Sequence, residues 1–251
     1  MAENEVSNEP KFKFPTEVVE LPSKGLVYPE DNPLSSGKVE MKYMTAREED
    51  IITNANYIRK GIVIDKLLQS LIVSDINYND LVVGDKNALL IAARVLGYGK
   101  DYQFTYRGED HTVDLSTLEN KEINKKDFNH KNEFDYTLPH SKTQVTFQLM
   151  TQGIENKVDR ELKGIAKLKK EVTPEMSTRM KYLIIAVDGD DDPKVVREFV
   201  DNYLLARDAK ALRDHIVDFQ PDVDFTYDIE IDGELEEITI PITSNFFFPD
   251  W

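Results

Sequence analysis

The residues KVEMKYMT at positions 38–45 have a near repeat in QVTFQLMT at positions 144–151, and these two segments decide the fold. In both, apolar and polar residues alternate as in a half-buried strand, and both end in Met-Thr. LPSK at 21–24 precedes the first segment, and LPHSK at 138–142 precedes the second. A repeat of about a hundred residues indicates a duplicated domain, because solenoid repeats are about 20–50 residues long.

Each segment is followed by helical residues and then by an aromatic strand, FTY at 104–106 and FTY at 225–227. The sequence therefore predicts an α+β fold of two related halves, each a β-strand pair, a helical bundle and a closing β-hairpin. The expected domain order is a mobile N-terminal arm (1–15), a first half (16–118), a polar linker (119–132) and a second half with an aromatic C-terminal tail (133–251).

In the first half, a strand, a turn and a second strand are expected over 17–28. Thr45 followed by Glu48 is the pattern of a capping box, which predicts a helix from Thr45 to about Arg59. Apolar spacing predicts a further helix over 62–71, and Asp85 is expected to cap the helix after it. A strand is also predicted over 38–44 and a hairpin over 102–115.

In the second half, Asp192 before Pro193 is a strong helix start, since Pro at the first helical position loses no hydrogen bond. Asp232-Gly233 between alternating apolar residues predicts a β-hairpin. The remaining predictions are strands over 133–138 and 144–150 and helices over 153–170, 174–187, 192–207 and 208–218.

Composition limits the function. The chain has no cysteine, which excludes disulfides, thiolate zinc sites and a Cys nucleophile and fits a reducing compartment. No apolar run approaches the roughly 18 residues of a membrane span, and the N-terminus has no signal-peptide core, so we expect a soluble intracellular protein. The net charge of −16 disfavours nucleic-acid binding and could steer the chain onto a basic partner surface.

Candidate chemical sites all have a simpler explanation. Asp188, Asp190 and Asp192 match the start of a calcium loop, but Pro193 and Phe199 stand where such a loop needs Gly and a bidentate carboxylate. An acidic helix-capping turn is the better interpretation. The histidines lack a second ligand at helical or hairpin spacing, so no zinc site is expected: His111, His130, His140 and His215. We therefore expect no catalytic residue, no cofactor and no metal.

Two features are better candidates for partner contacts. The C-terminal FFFPDW at 246–251 places four large aromatic side chains within six residues, and aromatic side chains often anchor interfaces. The alternative is that the tail folds back over the protein's own core. The second feature is the turn-rich segment that begins at LPSKG. The expected partner-binding residues are Pro22, Ser23, Lys24, Gly25, Tyr28, Phe246, Phe247, Phe248 and Trp251.

Several of these segments resemble one protein family. LPSKGLVYP at 21–29, MTAREEDI at 44–51, GDKNALLIAAR at 84–94 and the closing FFFPD at 246–250 are similar to the T4-type bacteriophage baseplate hub and hub-assembly proteins. The similarity spans most of the chain. Cysteine pairs in the hairpin of relatives suggest a zinc ribbon, but YRGEDH at 106–111 contains no cysteine, so no metal role carries over.

The resemblance implies a phage protein, not an enzyme, that is needed to build the central hub of a contractile-tail baseplate. Its partners would be other baseplate hub or tail proteins, in the host cytoplasm during assembly, and it leaves open whether the protein stays in the virion. One alternative is a tail-assembly chaperone that is absent from the mature virion and acts on another tail protein. A remote alternative is a metal-dependent enzyme that uses the acidic clusters.

Overall fold

The computed structural model describes residues 15–168, 174–231, 234–242 and 246–247. Over these residues the fold is α+β, as predicted, with eight α-helices and nine strands in four small sheets. The predicted N-terminal arm lies outside the described residues, apart from Pro15.

The first half begins with an antiparallel strand pair in which Val19 lies opposite Val39. Four helices follow, and an antiparallel hairpin ends the half. Its elements are β1 (Thr16–Glu20), β2 (Lys38–Lys42), α1 (Ala46–Ile52), α2 (Ala55–Lys60), α3 (Val63–Leu71), α4 (Val83–Tyr98), β3 (Asp101–Tyr106) and β4 (Glu109–Asp114).

The second half has the same order, with one additional full strand between its helices. Its elements are β5 (Phe134–Thr137), β6 (Gln144–Phe147), α5 (Gln152–Leu168), α6 (Glu175–Leu183), β7 (Ile184–Val187), α7 (Pro193–Asn202), α8 (Ala206–Phe219), β8 (Thr226–Ile231) and β9 (Glu234–Thr239). β8 and β9 pair antiparallel, as the hairpin prediction requires, while the Asp232-Gly233 turn itself lies outside the described residues.

The two halves also share a pairing detail. In the first half Ile72, directly after α3, forms a bridge with Met41 of β2. In the second half Ile184, directly after α6, pairs with Phe147 of β6. This common order agrees with the repeat in the sequence, whereas an origin by duplication stays a prediction.

The halves meet in one continuous apolar core. The predicted linker belongs to that core, because Asn120 forms a β-bridge with Val223 and Phe128 is buried. The Phe128 ring lies 5.0 Å from Phe219 and 5.6 Å from Phe134, measured between ring centroids. Aromatic contacts at these separations make the linker an internal part of the structure.

Three element predictions are wrong. Residues 26–28 form turns instead of a strand, because this segment folds around a buried carboxylate of α4. The helix predicted to Arg59 is divided at Asn54, whose side chain accepts the N–H groups that open α2. The helix predicted over 174–187 ends at Leu183, since the Ile-Ile-Ala-Val run after it pairs with β6.

The halves approach each other closely at Gly84 in the first turn of α4. A Cβ atom at Gly84 would lie 1.8 Å from the carbonyl oxygen of Pro221.

We expect Gly84→Ala to lower the free energy of unfolding by about 2 kcal/mol or more, because the backbone at Pro221 must move. Gly164→Ala in exposed α5, where a Cβ atom meets nothing within 4 Å, is the matched control. It should stabilise by about 0.5–1 kcal/mol through helix propensity alone. Urea unfolding measures both, and equal effects would contradict this close approach.

Candidate functional site

The segment 21–28, which we call the contact loop, is held by one buried carboxylate of α4. Asp85 Oδ1 accepts the Ser23 backbone N–H at 2.9 Å, and Oδ2 accepts the Ser23 hydroxyl at 2.6 Å. The Tyr28 hydroxyl donates to the same Oδ2 at 2.6 Å and accepts the Val82 N–H at 3.1 Å. We call Asp85, Ser23 and Tyr28 the Asp85 cluster. It ties the contact loop to the start of α4 through bonds that water cannot reach.

Both ionisable groups of the Asp85 cluster have raised pKa values. Burial raises the pKa of Asp85 to about 6, although the hydrogen bonds from Ser23 and Tyr28 oppose this rise. Burial and the nearby Asp85 charge raise the pKa of Tyr28 well above its usual range. At neutral pH the carboxylate is therefore ionised and the phenol keeps its proton, which is the arrangement in which Tyr28 donates.

The cluster corrects the expectation that the contact loop is exposed to a partner. Ser23 and Tyr28 are buried, as are Pro22 and Gly25, whereas the Lys24 side chain is exposed. Gly25 has φ +80°, and a Cβ atom there would lie 2.2 Å from the Ser35 carbonyl oxygen. Most of this loop therefore fills the interior, and Lys24 has its one exposed side chain.

The second half contains the same device. Asp208 is the third residue of α8, as Asp85 is the third residue of α4, and both are fully buried. Asp208 accepts the backbone N–H groups of His140 at 2.8 Å and Ser141 at 2.9 Å. Burial works against ionisation, but these hydrogen bonds outweigh it and lower the pKa of Asp208. In each half, an aspartate of the last helix therefore fixes the turn that begins at Leu-Pro, between the two paired strands.

The aromatic tail folds over the protein itself. Phe246 and Phe247 are buried, and the Phe246 ring lies edge-on to Tyr102 with 5.0 Å between centroids. The expectation that these two phenylalanines contact a partner is corrected, because they complete the core beside the β3–β4 hairpin. Phe248 and Trp251 lie outside the described residues, and their partner role stays a prediction.

A polar cleft of about 1290 Å³ lies between the first half and α5. Lys86 Nζ lies 2.8 Å from Asp65 Oδ1 and 3.8 Å from a Glu155 carboxylate oxygen. Gln152 bonds both Lys86 and Asp65, so the charged groups at the base of the cleft satisfy one another. These hydrogen bonds and ion pairs connect the two halves, and the polar side chains named here are partners of one another.

The acidic turn after β7 also uses its carboxylates on the backbone. Asp188 accepts the Gln144 N–H, Asp190 the Asp192 N–H, and Asp192 the Lys194 N–H at the start of α7. In the described part of the chain, no group of three or more His, Asp or Glu side chains is arranged to hold a metal ion. His215 lies stacked on Tyr136 at 4.4 Å, and His130 Nδ1 lies 3.1 Å from the Tyr28 carbonyl oxygen.

The sequence placed Asp85 at a helix cap and did not identify its buried role. Val82 is the N-cap, and Asp85 lies inside the first turn. A signal for that role exists: LVVGDKNAL at 81–89 matches LLARDAKAL at 204–212, with the aspartate at the fifth place of each. An aspartate at the same place in two apolar helix starts indicates a partner in the preceding turns.

Neither the protein-family models nor the curated proteins nor the solved structures compared with this chain include a match. None of the helices that the structure describes is long and apolar enough to cross a membrane.

Asp85→Ala should lower the free energy of unfolding by about 3–5 kcal/mol, because the buried Ser23 and Tyr28 hydroxyls lose their acceptor. Tyr28→Phe removes one donor and should cost about 1–2 kcal/mol. Asp191→Ala, at an exposed acidic residue, is the control and should stay within about 0.5 kcal/mol of the parent. Urea unfolding measures all three. An Asp85→Ala variant as stable as the control would disprove the anchoring role.

The contribution of Asp85 to stability should fall as the pH rises from about 4 to about 6. The unfolded chain releases this proton near its ordinary pKa of about 3.9, whereas the folded protein holds it to about pH 6. The stabilisation is therefore complete below pH 4 and is lost as the pH rises through 6, by about 2–3 kcal/mol. The Asp85→Asn variant cannot titrate at this position. Subtracting its unfolding free energy from that of the parent protein at each pH isolates the contribution of Asp85. A difference that is flat between pH 4 and 6 would contradict it.

Proposed function

We propose that this chain is an assembly protein that helps to build the central hub of a contractile-tail phage baseplate through contacts with other proteins. The observation that carries the proposal is the position of the residues that resemble the hub family. LPSKGLVYP at 21–29 and GDK at 84–86 are far apart in sequence, yet both supply the Asp85 cluster. Segments joined by buried hydrogen bonds form one structural signature, which supports the resemblance beyond separate short matches.

The surface and charge of the chain support a role in protein contacts. The net charge of −16 favours association with basic surfaces and repels phosphate backbones. Large apolar side chains stand exposed on several elements, among them Val18 on β1, Tyr203 after α7 and Leu235 on β9. Single exposed apolar side chains on separate elements are normal for a protein surface, so the charge is the stronger of these two supports. The proposed place of action is the host cytoplasm during tail assembly.

Co-expression with the hub proteins of the same phage tests the proposal. We expect at least one hub protein to co-purify with the tagged chain at a fixed ratio. The tail-tube protein of that phage, expressed in the same way, is the control bait and should not co-purify. Failure to associate with any hub protein, alone or in combination, would count against the proposal, and capture of the tail-tube protein instead would favour a tail-assembly chaperone. Mass spectrometry of purified virions then separates a structural component, present at fixed copy number, from an assembly factor that leaves.

A further inference from the structure

An apolar groove of about 470 Å³ runs along β1. Residues 17–20 line it in succession. Because successive side chains of a strand point to opposite faces, a cavity that touches four in a row follows the edge of the strand. The floor of the groove comes mainly from the outer face of α4: Ala88, Ile91, Ala92, Val95 and Leu96.

Among the described residues, no backbone partner is found for the outer edge of β1 beside this groove. Pro15 accepts the Tyr43 N–H, and Leu21 donates to Gly37, so alternate residues from 15 to 21 bond inward to β2. The backbone groups of Thr16, Val18 and Glu20 consequently point outward. Among the described residues, the sheet contains only β1 and β2, and Val18 is 58% exposed. Such an edge can accept another extended strand.

The second half has aromatic side chains at the matching place. The tenth and fourteenth residues of α8 are His215 and Phe219, where α4 has Ala92 and Leu96. Tyr136 of β5 stacks on His215, and further aromatic rings surround Phe219. Ala92 leaves space open at its position on α4, so the groove has room for an aromatic side chain in addition to Tyr43, which already lines it.

The charge of the groove favours an occupant with basic side chains. The groove is lined by Glu17 and Glu20 and by no lysine or arginine among the described residues. Glu20 has an exposed ion pair with Lys38 at 3.3 Å, and the Glu17 carboxylate accepts a long hydrogen bond of 3.3 Å from the Tyr43 hydroxyl. Exposed pairs of this kind contribute little and are easily exchanged. A basic side chain on the occupant would therefore gain two carboxylates.

We propose that this groove, which we call the β1 groove, binds an extended segment of a partner protein. The segment pairs with the outer edge of β1, places an aromatic side chain over Ala92, and brings Lys or Arg beside Glu17 and Glu20. Strand addition of this kind gives affinity through the backbone and specificity through alternate side chains. The inference rests on the groove alone and is independent of the proposed baseplate function.

The test is selection of a displayed library of random peptides of roughly 12 residues against the full-length chain. We expect selected peptides to contain an aromatic residue with Lys or Arg two positions away, and to bind at least about tenfold more weakly when alternate backbone nitrogens are methylated. Val18→Pro removes one outward N–H and no bond to β2, so it should weaken binding at least about tenfold. The matched control Val18→Ala keeps that N–H and should stay within about threefold.

A second pair of variants tests the floor and the charge. Ala92→Phe fills the groove and should weaken binding at least about tenfold. The double variant Glu17→Lys/Glu20→Lys should also weaken peptide binding at least about tenfold. The control double variant Glu109→Lys/Glu198→Lys changes exposed acids outside the groove and should leave peptide binding unchanged. Thermal unfolding confirms that each variant is folded. The backbone-methylated peptide is tested on the unaltered protein. It therefore shows whether the peptide pairs with the edge of β1 even if one of the protein variants is unstable.

Three results would overturn the proposal. The first is a set of peptides whose binding ignores backbone methylation and the groove variants. The second is peptide binding that becomes at least about tenfold tighter in the double variant Phe12→Ser/Phe14→Ser. Tighter binding would mean that the chain's own N-terminal segment competes for the groove. The third is a dimer in sedimentation that Ala92→Phe dissociates, which would assign the groove to a second copy of the chain.

Discussion

The fold depends on a carboxylate in a place where a charge is costly. Asp85 lies without solvent contact in the first turn of α4, and three donors from the contact loop compensate for the lost hydration. A buried charge with a full set of partners specifies one arrangement of its surroundings, because any displacement leaves a donor or the charge unsatisfied. The contact loop is therefore fixed on α4, and α4 in turn meets the second half through Gly84 and Pro221. One side chain thus links the start of the chain to its far end.

Asp208 has the same place in the second half, but its chemistry differs. It accepts two backbone N–H groups, whereas Asp85 accepts one backbone group and two hydroxyls. Hydrogen bonds lower the pKa of Asp208, while burial dominates at Asp85 and raises its pKa. The two halves thus share an anchoring position and differ in how tightly it holds a proton. Of these two aspartates, Asp85 is therefore the one whose protonation near pH 5 adds stability.

The sequence predicted the elements whose pattern is local. The spacing of α3, the Asp192-Pro193 start of α7 and the alternation in β8 and β9 all identify their elements, because each depends on neighbours along the chain. The predictions that are wrong depend on distant contacts. Ile184–Val187 is a strand only because β6 lies beside it, and Ser23, Tyr28, Phe246 and Phe247 are buried only because α4 and β3 cover them. Composition alone cannot tell an aromatic anchor from an aromatic core residue.

The difference between the halves bears on the proposed β1 groove. The second half fills the space between its first strand and last helix with Phe134, Tyr136 and the α8 aromatics, whereas the first half has Ala88 and Ala92 there. Among the described residues, no further strand pairs with the outer edge of β1. An open edge invites aggregation, and natural proteins protect such edges with charge. Glu17 and Glu20 provide that charge without closing the groove. Repulsion between these acidic edges discourages two copies from pairing, while a basic segment of another protein meets no such barrier. The same two glutamates therefore oppose self-pairing at this edge and favour a partner of opposite charge.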